Sequence, residues 1–294
     1  MEALDLVGLR NLMRRGVGSP VVKIGLIDGP VHQGHPDLAD AQLRELSGPT
    51  GMICAPGSGA ACLHGTFIAS ILCAKRGSVA PAICPGCTVL TRPIFATSPS
   101  SGNNAAAGTL LDLSLAIITC VDAGARVLNL SASFDRSSVE GENALRDALD
   151  FAVRHDVIVV AAAGNRMTLG STALTRHLGV IPVVACDKNG LPTIESNFGN
   201  SVGRRGLRAP GEGVLGLGVE KSAIELQGTS VAVPFVVGTI ALLWSEFPMA
   251  TATEIRSALL GVPHARRSSV VPPLLDASAA YRRLSATFLE GRTA

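Results

Sequence analysis

Charge and aromatic side chains are both scarce in this chain of 294 residues. Only 16% of residues are charged, the formal net charge is +2, and Phe, Trp and Tyr together make up 3%. A balance so close to neutral leaves no electrostatic footprint for nucleic acid or a membrane surface. The basic pairs Arg14–Arg15, Arg204–Arg205 and Arg266–Arg267 are short and read as solvated surface. With few aromatics, the core must be built from Ala, Val, Leu and Ile. Hydrophobic residues at 47% supply enough of them, which excludes a disordered chain.

Long apolar runs are missing too. The longest, Val231 to Trp244, is interrupted by Pro234, Gly238 and Thr239. It falls short of the roughly 20 residues that cross a bilayer and reads as a core helix, so no membrane partner is expected. The first residues, MEALDLVGLRNLMRRG, lack an apolar stretch followed by a cleavage site, so no signal peptide is expected. Cysteines number seven, at 54, 62, 73, 84, 87, 120 and 186. An odd count at irregular spacing predicts no full disulfide framework. Cys84 and Cys87 have the Cys-x-x-Cys spacing, but a structural zinc site usually has four ligands and no second pair is present. Pro85 and Gly86 suggest a turn there. These features fit a reducing cytoplasm, which is the expected location. Repeats and linkers are absent, so residues 1–294 are read as one domain. Its core covers about 21–260, and 261–294 form a C-terminal extension that packs on the core or is partly flexible. No feature specifies an oligomeric state.

What the chain does contain is an alternation of short β-branched runs with helical patterns. Strands are expected at 21–28, 87–95, 125–133, 157–165 and 179–186. Helices are expected at 64–75, opening with His64, and at 110–124, 142–156, 229–247 and 251–260. Segments 48–62 and 96–108 read as loops. Nearly unbroken apolar strands imply a sheet covered on both faces. The fold class predicted is therefore α/β, a doubly wound, mainly parallel sheet with helices on both faces. Sites in such sheets form outside the carboxyl ends of the strands. Asp28 and Asn165 fall at strand ends, and His64 and Ser230 at expected helix starts, so all four can meet at one edge.

A serine hydroxyl needs a base within hydrogen-bond reach, and that base, usually His, needs a carboxylate to hold its tautomer. Donors must also face the oxyanion of the tetrahedral intermediate. Asp28, His64 and Ser230 supply the first set. Asn165 and the Ser230 N–H, at a helix N-terminus, supply the second. Taken singly, each has a plainer reading: Ser230 as a helix cap, His64 as a satisfied polar residue, Asp28 as a turn cap, Asn165 as a turn residue. His32, His35 and Asp37 could hold a metal, and His155 and His177 read as surface residues.

The motifs GLIDGPVHQGHPDL, HGTFIAS, VLNLSAS, AAAGN, SNFG, APGEGV and GTSVAVPFVVG, in this order, resemble those of the subtilisin-like serine proteases over about residues 21–260. The Asp, His, Ser order also matches that group. The resemblance implies a three-layer α/β/α fold and catalytic Asp28, His64 and Ser230, with Asn165 at the oxyanion. It implies that Ser131, Ala132 and Ser133 face Ala162, Ala163 and Gly164 across the first specificity pocket, with Thr229 beside it. The substrate adds as a β-strand along Ser131–Ser133, and Ser101 and Gly102 are a further expected contact. Some residues depart from the pattern. Gly29 and Pro30 follow the Asp where Ser or Thr and then Gly are common, Ser70 replaces Gly, Val231 replaces Met, and Ala132–Ser133 replace Leu-Gly. Subtilisin-like enzymes often bind calcium through acidic loops. This chain has no such loop, so no cofactor and no metal site is expected. CPGC, RPIF, LDLSLAI and VIVVAAAGN further resemble the cytoplasmic proteases of cyanobactin pathways, which remove the leader from a ribosomally made precursor peptide. The resemblance thus implies a peptide substrate. Two other readings remain: a general protein-degrading subtilisin, and an inactive peptide-binding module on the same fold.

Overall fold

The structure, a computed structural model, describes residues 2–47, 54, 59–97, 105–106, 108–131, 139–220, 222–261 and 269–290. Ser101, Gly102, Ala132 and Ser133 lie outside them. The strands are β1 (Lys23–Asp28), β2 (Gln42–Glu45), β3 (Thr88–Pro93), β4 (Ala96–Thr97), β5 (Ala105–Ala106), β6 (Val127–Leu130), β7 (Ile158–Ala162), β8 (Val180–Cys186), β9 (Leu207–Pro210), β10 (Val214–Leu217) and β11 (Ala223–Leu226). Seven form one sheet in the order β2-β3-β1-β6-β7-β8-β9, parallel throughout. The pairs β4–β5 and β10–β11 are small antiparallel ladders.

Helices cover both faces of the sheet, because its strands are apolar on both. They are α1 (Ala3–Leu6), α2 (Leu9–Met13), α3 (Ala60–Cys73), α4 (Leu110–Asp122), α5 (Val139–Arg154), α6 (Ala173–Arg176), α7 (Asn200–Arg205), α8 (Thr229–Glu246), α9 (Ala252–Leu260) and α10 (Ala277–Glu290). Alternate side chains of one strand enter different cores. Ile24 and Leu26 pack with Phe67 and Ile71 of α3 and with Phe235 and Ile240 of α8. Ile27 packs on the other face with Leu113 and Ile117 of α4 and Leu145 of α5. This is the doubly wound sheet that the apolar runs imply. Helix α8 is long and apolar enough to cross a membrane, but 83% of it is buried in the core.

Several boundaries differ from the sequence reading. Helix α3 begins at Ala60, so His64 sits in its second turn rather than at its start. Ala60–Leu63 can join the helix because Gly59, at φ +82°, turns the chain into it. The short strands β2, β9 and β11 carry polar residues or a proline that hide them in the sequence, and β10, VLGL, is only four residues long and holds a glycine. Helices α1, α2, α6, α7 and α10 were not singled out either. Cys54 and Cys62 form a disulfide, which the irregular cysteine spacing did not foretell. The other five cysteines are free and buried. Cys84 and Cys87 close the expected turn, the Cys87 N–H donating to the Cys84 carbonyl at 3.0 Å. Their mutual hydrogen bond raises the Cys84 pKa and lowers that of Cys87. His155 is exposed, but His177 is not a plain surface residue: only 13% of its side chain is exposed, and it pairs with Asp150 at 3.1 Å.

Candidate active site

The order of strands reverses beside β1, which pairs with β3 on one side and β6 on the other. The crevice at the carboxyl ends of the strands near such a reversal is where doubly wound sheets bind ligands. Asp28 is the last residue of β1, and Ser131 follows β6 directly. Asn165 follows β7 after a short turn, and Ser230 is the second residue of α8.

Asp28 is 1% exposed. Its Oδ1 accepts the Gly29 N–H at 2.6 Å and faces His64 Nδ1 at 2.7 Å. On the far side of the ring, His64 Nε2 lies 3.1 Å from Ser230 Oγ. Burial of the ring opposes protonation, but the charge of Asp28 and its hydrogen bond outweigh burial, so the His64 pKa is raised from its ordinary 6.5. The side chain keeps 31% of its surface exposed, which leaves Nε2 and Ser230 open to the cleft.

Two glycines allow this alignment. A Cβ on Gly29 would lie 2.0 Å from the Ala61 carbonyl oxygen, and one on Gly65 would lie 2.4 Å from that of Gly29. Backbone meets backbone here, and α3 settles against the end of β1 closely enough for Asp28 to reach His64. The same contact accounts for the departure at position 29, because Ser or Thr would not fit. Asp28 Oδ2 is left buried without a partner among the described residues.

Asn165 is aimed by its neighbours. The Thr229 N–H donates to Asn165 Oδ1 at 2.9 Å, which leaves Nδ2 to donate into the cleft. The Gly164 N–H donates to Thr229 Oγ1 at 3.1 Å. Gly164 has φ +103°, and a Cβ there would strike Asn197 Nδ2 at 2.3 Å. Asn197 Oδ1 accepts the N–H groups of Arg166 and Thr168 and so fixes the turn that carries Asn165. The Ser230 N–H lies in the first turn of α8, where no intrahelical acceptor exists.

Ser131 does something that the sequence reading did not assign to it. Pro234 has no N–H to offer the Ser230 carbonyl four residues earlier. The Ser131 hydroxyl supplies that bond instead, at 3.2 Å, and itself accepts from Asn129 Nδ2 at 2.7 Å. Its side chain is therefore occupied, leaving its backbone for a substrate strand. Ala162 and Ala163 are buried, their side chains turned into the cores. The signal for Asn129 was a polar residue inside the apolar run VLNLS. Ser70 also gains a role: its hydroxyl accepts the Leu217 N–H at 3.1 Å and ties α3 to β10. Elsewhere, His32 Nδ1 bonds the Cys54 carbonyl and His35 Nδ1 caps the Asp37 N–H. Among the described residues no three His, Cys, Asp or Glu side chains converge to hold a metal.

The profile of the subtilase family, Peptidase S8, matches residues 20–262. The chain belongs to the subtilase family. Among solved structures, this subtilase resembles a mutant of the protease domain of PatA, with 31% identity over 92% of this chain and 97% of that one and a TM-score of 0.80. It also resembles the prenylagaramide maturation protease PagA, with 29% identity, 94% and 98% coverage and a TM-score of 0.79. Fervidolysin of Fervidobacterium pennivorans is 28% identical over 87% of this chain, which spans only 39% of fervidolysin's length. Membership makes the subtilase a serine peptidase by family.

Proposed function

We propose that the protein is a serine endopeptidase that removes the leader from a ribosomally synthesised precursor peptide. The observation that carries the chemistry is the unbroken relay from Asp28 through His64 to Ser230, with contacts of 2.7 and 3.1 Å. His64 takes the Ser230 proton as Oγ attacks the scissile carbonyl, and Asp28 holds the imidazolium that results. Asn165 Nδ2 and the Ser230 N–H receive the oxyanion. His64 then protonates the leaving amine, and the C–N bond breaks. Water, deprotonated by His64, releases the acyl group. None of these steps calls for a cofactor.

The choice of substrate is supported by the likeness to PagA and to the patellamide maturation protease PatA, over more than nine-tenths of either chain. The five free thiols favour a cytoplasmic setting, and the Cys54–Cys62 disulfide weighs against it. A fluorophosphonate probe tests the chemistry. One adduct is expected on the wild type and none on Ser230→Ala, read by intact mass. A folded wild type that stays unlabelled would remove the proposal. Precursor peptides beside casein test the substrate: a single cut at the leader junction with casein intact is expected, and general digestion of casein would replace leader removal with protein degradation.

A further inference from the structure

One side of the cleft carries charge that the hydrolytic steps do not use. A cavity of about 380 Å³ is bordered by Asn165 and by Gln227 and Gly228, the residues that lead into Thr229 and Ser230. Asp187, Glu195 and Glu212 also line it. Asp187 is committed, its Oδ1 accepting the N–H groups of Asn189 and Leu191 at 2.9 and 2.8 Å. The Glu195 and Glu212 side chains are exposed, and neither has a hydrogen-bond or ion-pair partner among the described residues. No Lys, Arg or His lines the cavity among the described residues. Asp187 and Glu212 also border a neighbouring groove, which Lys188, Arg10 and Arg76 line with them, whereas Glu195 faces the cavity alone.

The position of the cavity decides which part of a peptide reaches it. The side chain before the scissile bond is expected between the Ser131 strand and Ala162–Gly164. The carbonyl then sits at Ser230 and Asn165. A peptide advancing about 3.3 Å per residue passes next over Gly228 and Gln227. We infer that this cavity holds one of the first two residues on the leaving-group side, and that it selects Lys or Arg there. The inference rests on the serine-peptidase reading above. Carboxylates accept charge-assisted bonds from guanidinium or ammonium groups, and the apolar stem of either side chain can lie on Pro192 and Ile194 in the same wall. Ion pairs at exposed carboxylates are individually weak, so two of them give a preference of about tenfold, reduced by salt.

Capture of the acyl-enzyme by added amines tests this, because it reads leaving-group-side binding directly. The wild type is acylated with p-nitrophenyl acetate, and Ala-Arg, Arg-Ala, Ala-Glu and Glu-Ala amides compete with water for the acetyl group. In capture, the amine nitrogen bonds the acyl carbon and the bond from that carbon to Ser230 Oγ breaks. The amine proton passes through His64 to Oγ. Acetylated Arg dipeptides are expected in about tenfold excess over Glu dipeptides at low salt, and near equality at high salt. The preference should reverse in Glu195→Lys/Glu212→Lys. Should that variant not fold, Glu195→Gln/Glu212→Gln should erase the preference. Fluorophosphonate labelling identifies the preparations with a working nucleophile. Equal capture by a wild type that labels normally overturns the inference and leaves the peptidase reading standing. A wild type that neither labels nor acylates overturns both.

Discussion

A single carboxylate oxygen sets the protonation of the site. Asp28 Oδ1 faces His64 Nδ1 at 2.7 Å from a nearly dry position. Desolvation pushes the His64 pKa down, the Asp28 charge and hydrogen bond push it up, and the net direction is up from 6.5. Only neutral His64 can take the Ser230 proton, so kcat/KM should rise with pH through a midpoint above 6.5. A midpoint below 6.5 in a pH–rate profile would contradict this balance. The stability effect has the opposite sign. A raised histidine pKa favours the fold below 6.5, and that contribution is lost as pH climbs through the folded value. The four residues named at the outset were legible because each stands in a short motif whose chemistry has few other uses. The bond from Ser131 to the Ser230 carbonyl was not. It joins two distant segments, and only the missing N–H of Pro234 creates the need for it.

Helix α3 governs whether the relay is aligned. Its second turn lies on the end of β1, and Gly65 has no room for a methyl group between the Gly29 and Pro30 carbonyls. Gly65→Ala should therefore cost about 1–3 kcal/mol, as overpacking usually does, and displace His64 enough to lower kcat at least tenfold. Gly170→Ala, where nothing lies within 4 Å of the added methyl, is the matched control and should leave both unchanged. Chemical denaturation and steady-state kinetics on the two variants decide it. The Cys54–Cys62 disulfide anchors the chain entering the same helix, at a separation of eight residues. Loop-closure entropy sets its contribution at about 2–3 kcal/mol. A reductant should lower the Tm of the wild type and leave that of Cys54→Ala/Cys62→Ala unmoved. Elements buried on both faces, such as β7 and β8, could be read from composition because only a covered strand tolerates IVVAA or VIPVVAC. The start of α3 could not, since Gly59 sets it through a backbone angle that no periodicity records.

At the scale of the whole molecule, the ends of the chain meet. The Ala277 N–H donates to the Val7 carbonyl at 2.9 Å and the Ser278 hydroxyl to the Gly8 carbonyl at 3.0 Å, so the start of α10 grips the turn between α1 and α2. Gly8 is required there: its φ is +66°, and a Cβ would lie 2.8 Å from Ser278 Oγ. The Arg15 guanidinium lies over the Tyr281 ring at 4.3 Å, and Phe247, just past α8, meets Tyr281 and Phe288. Ala277, Ala280 and Leu284 are buried in the same core as α3 and α8. Apart from Phe247, this clasp lies outside residues 20–262, the part shared with the family profile, yet it is continuous with the core behind the nucleophile. We propose that the chain unfolds as one domain. Leu284→Ala should then lower the stability of the whole molecule by about 2–5 kcal/mol, the usual cost of truncating a buried leucine. Far-UV and near-UV circular dichroism should follow one coincident transition before and after the change. If instead the clasp were an independent unit, the mutation would split the melt, with an early phase small in amplitude and a main transition left at the wild-type temperature. The buried position of Leu284, at 2% exposure within the shared core, argues for the single shifted transition.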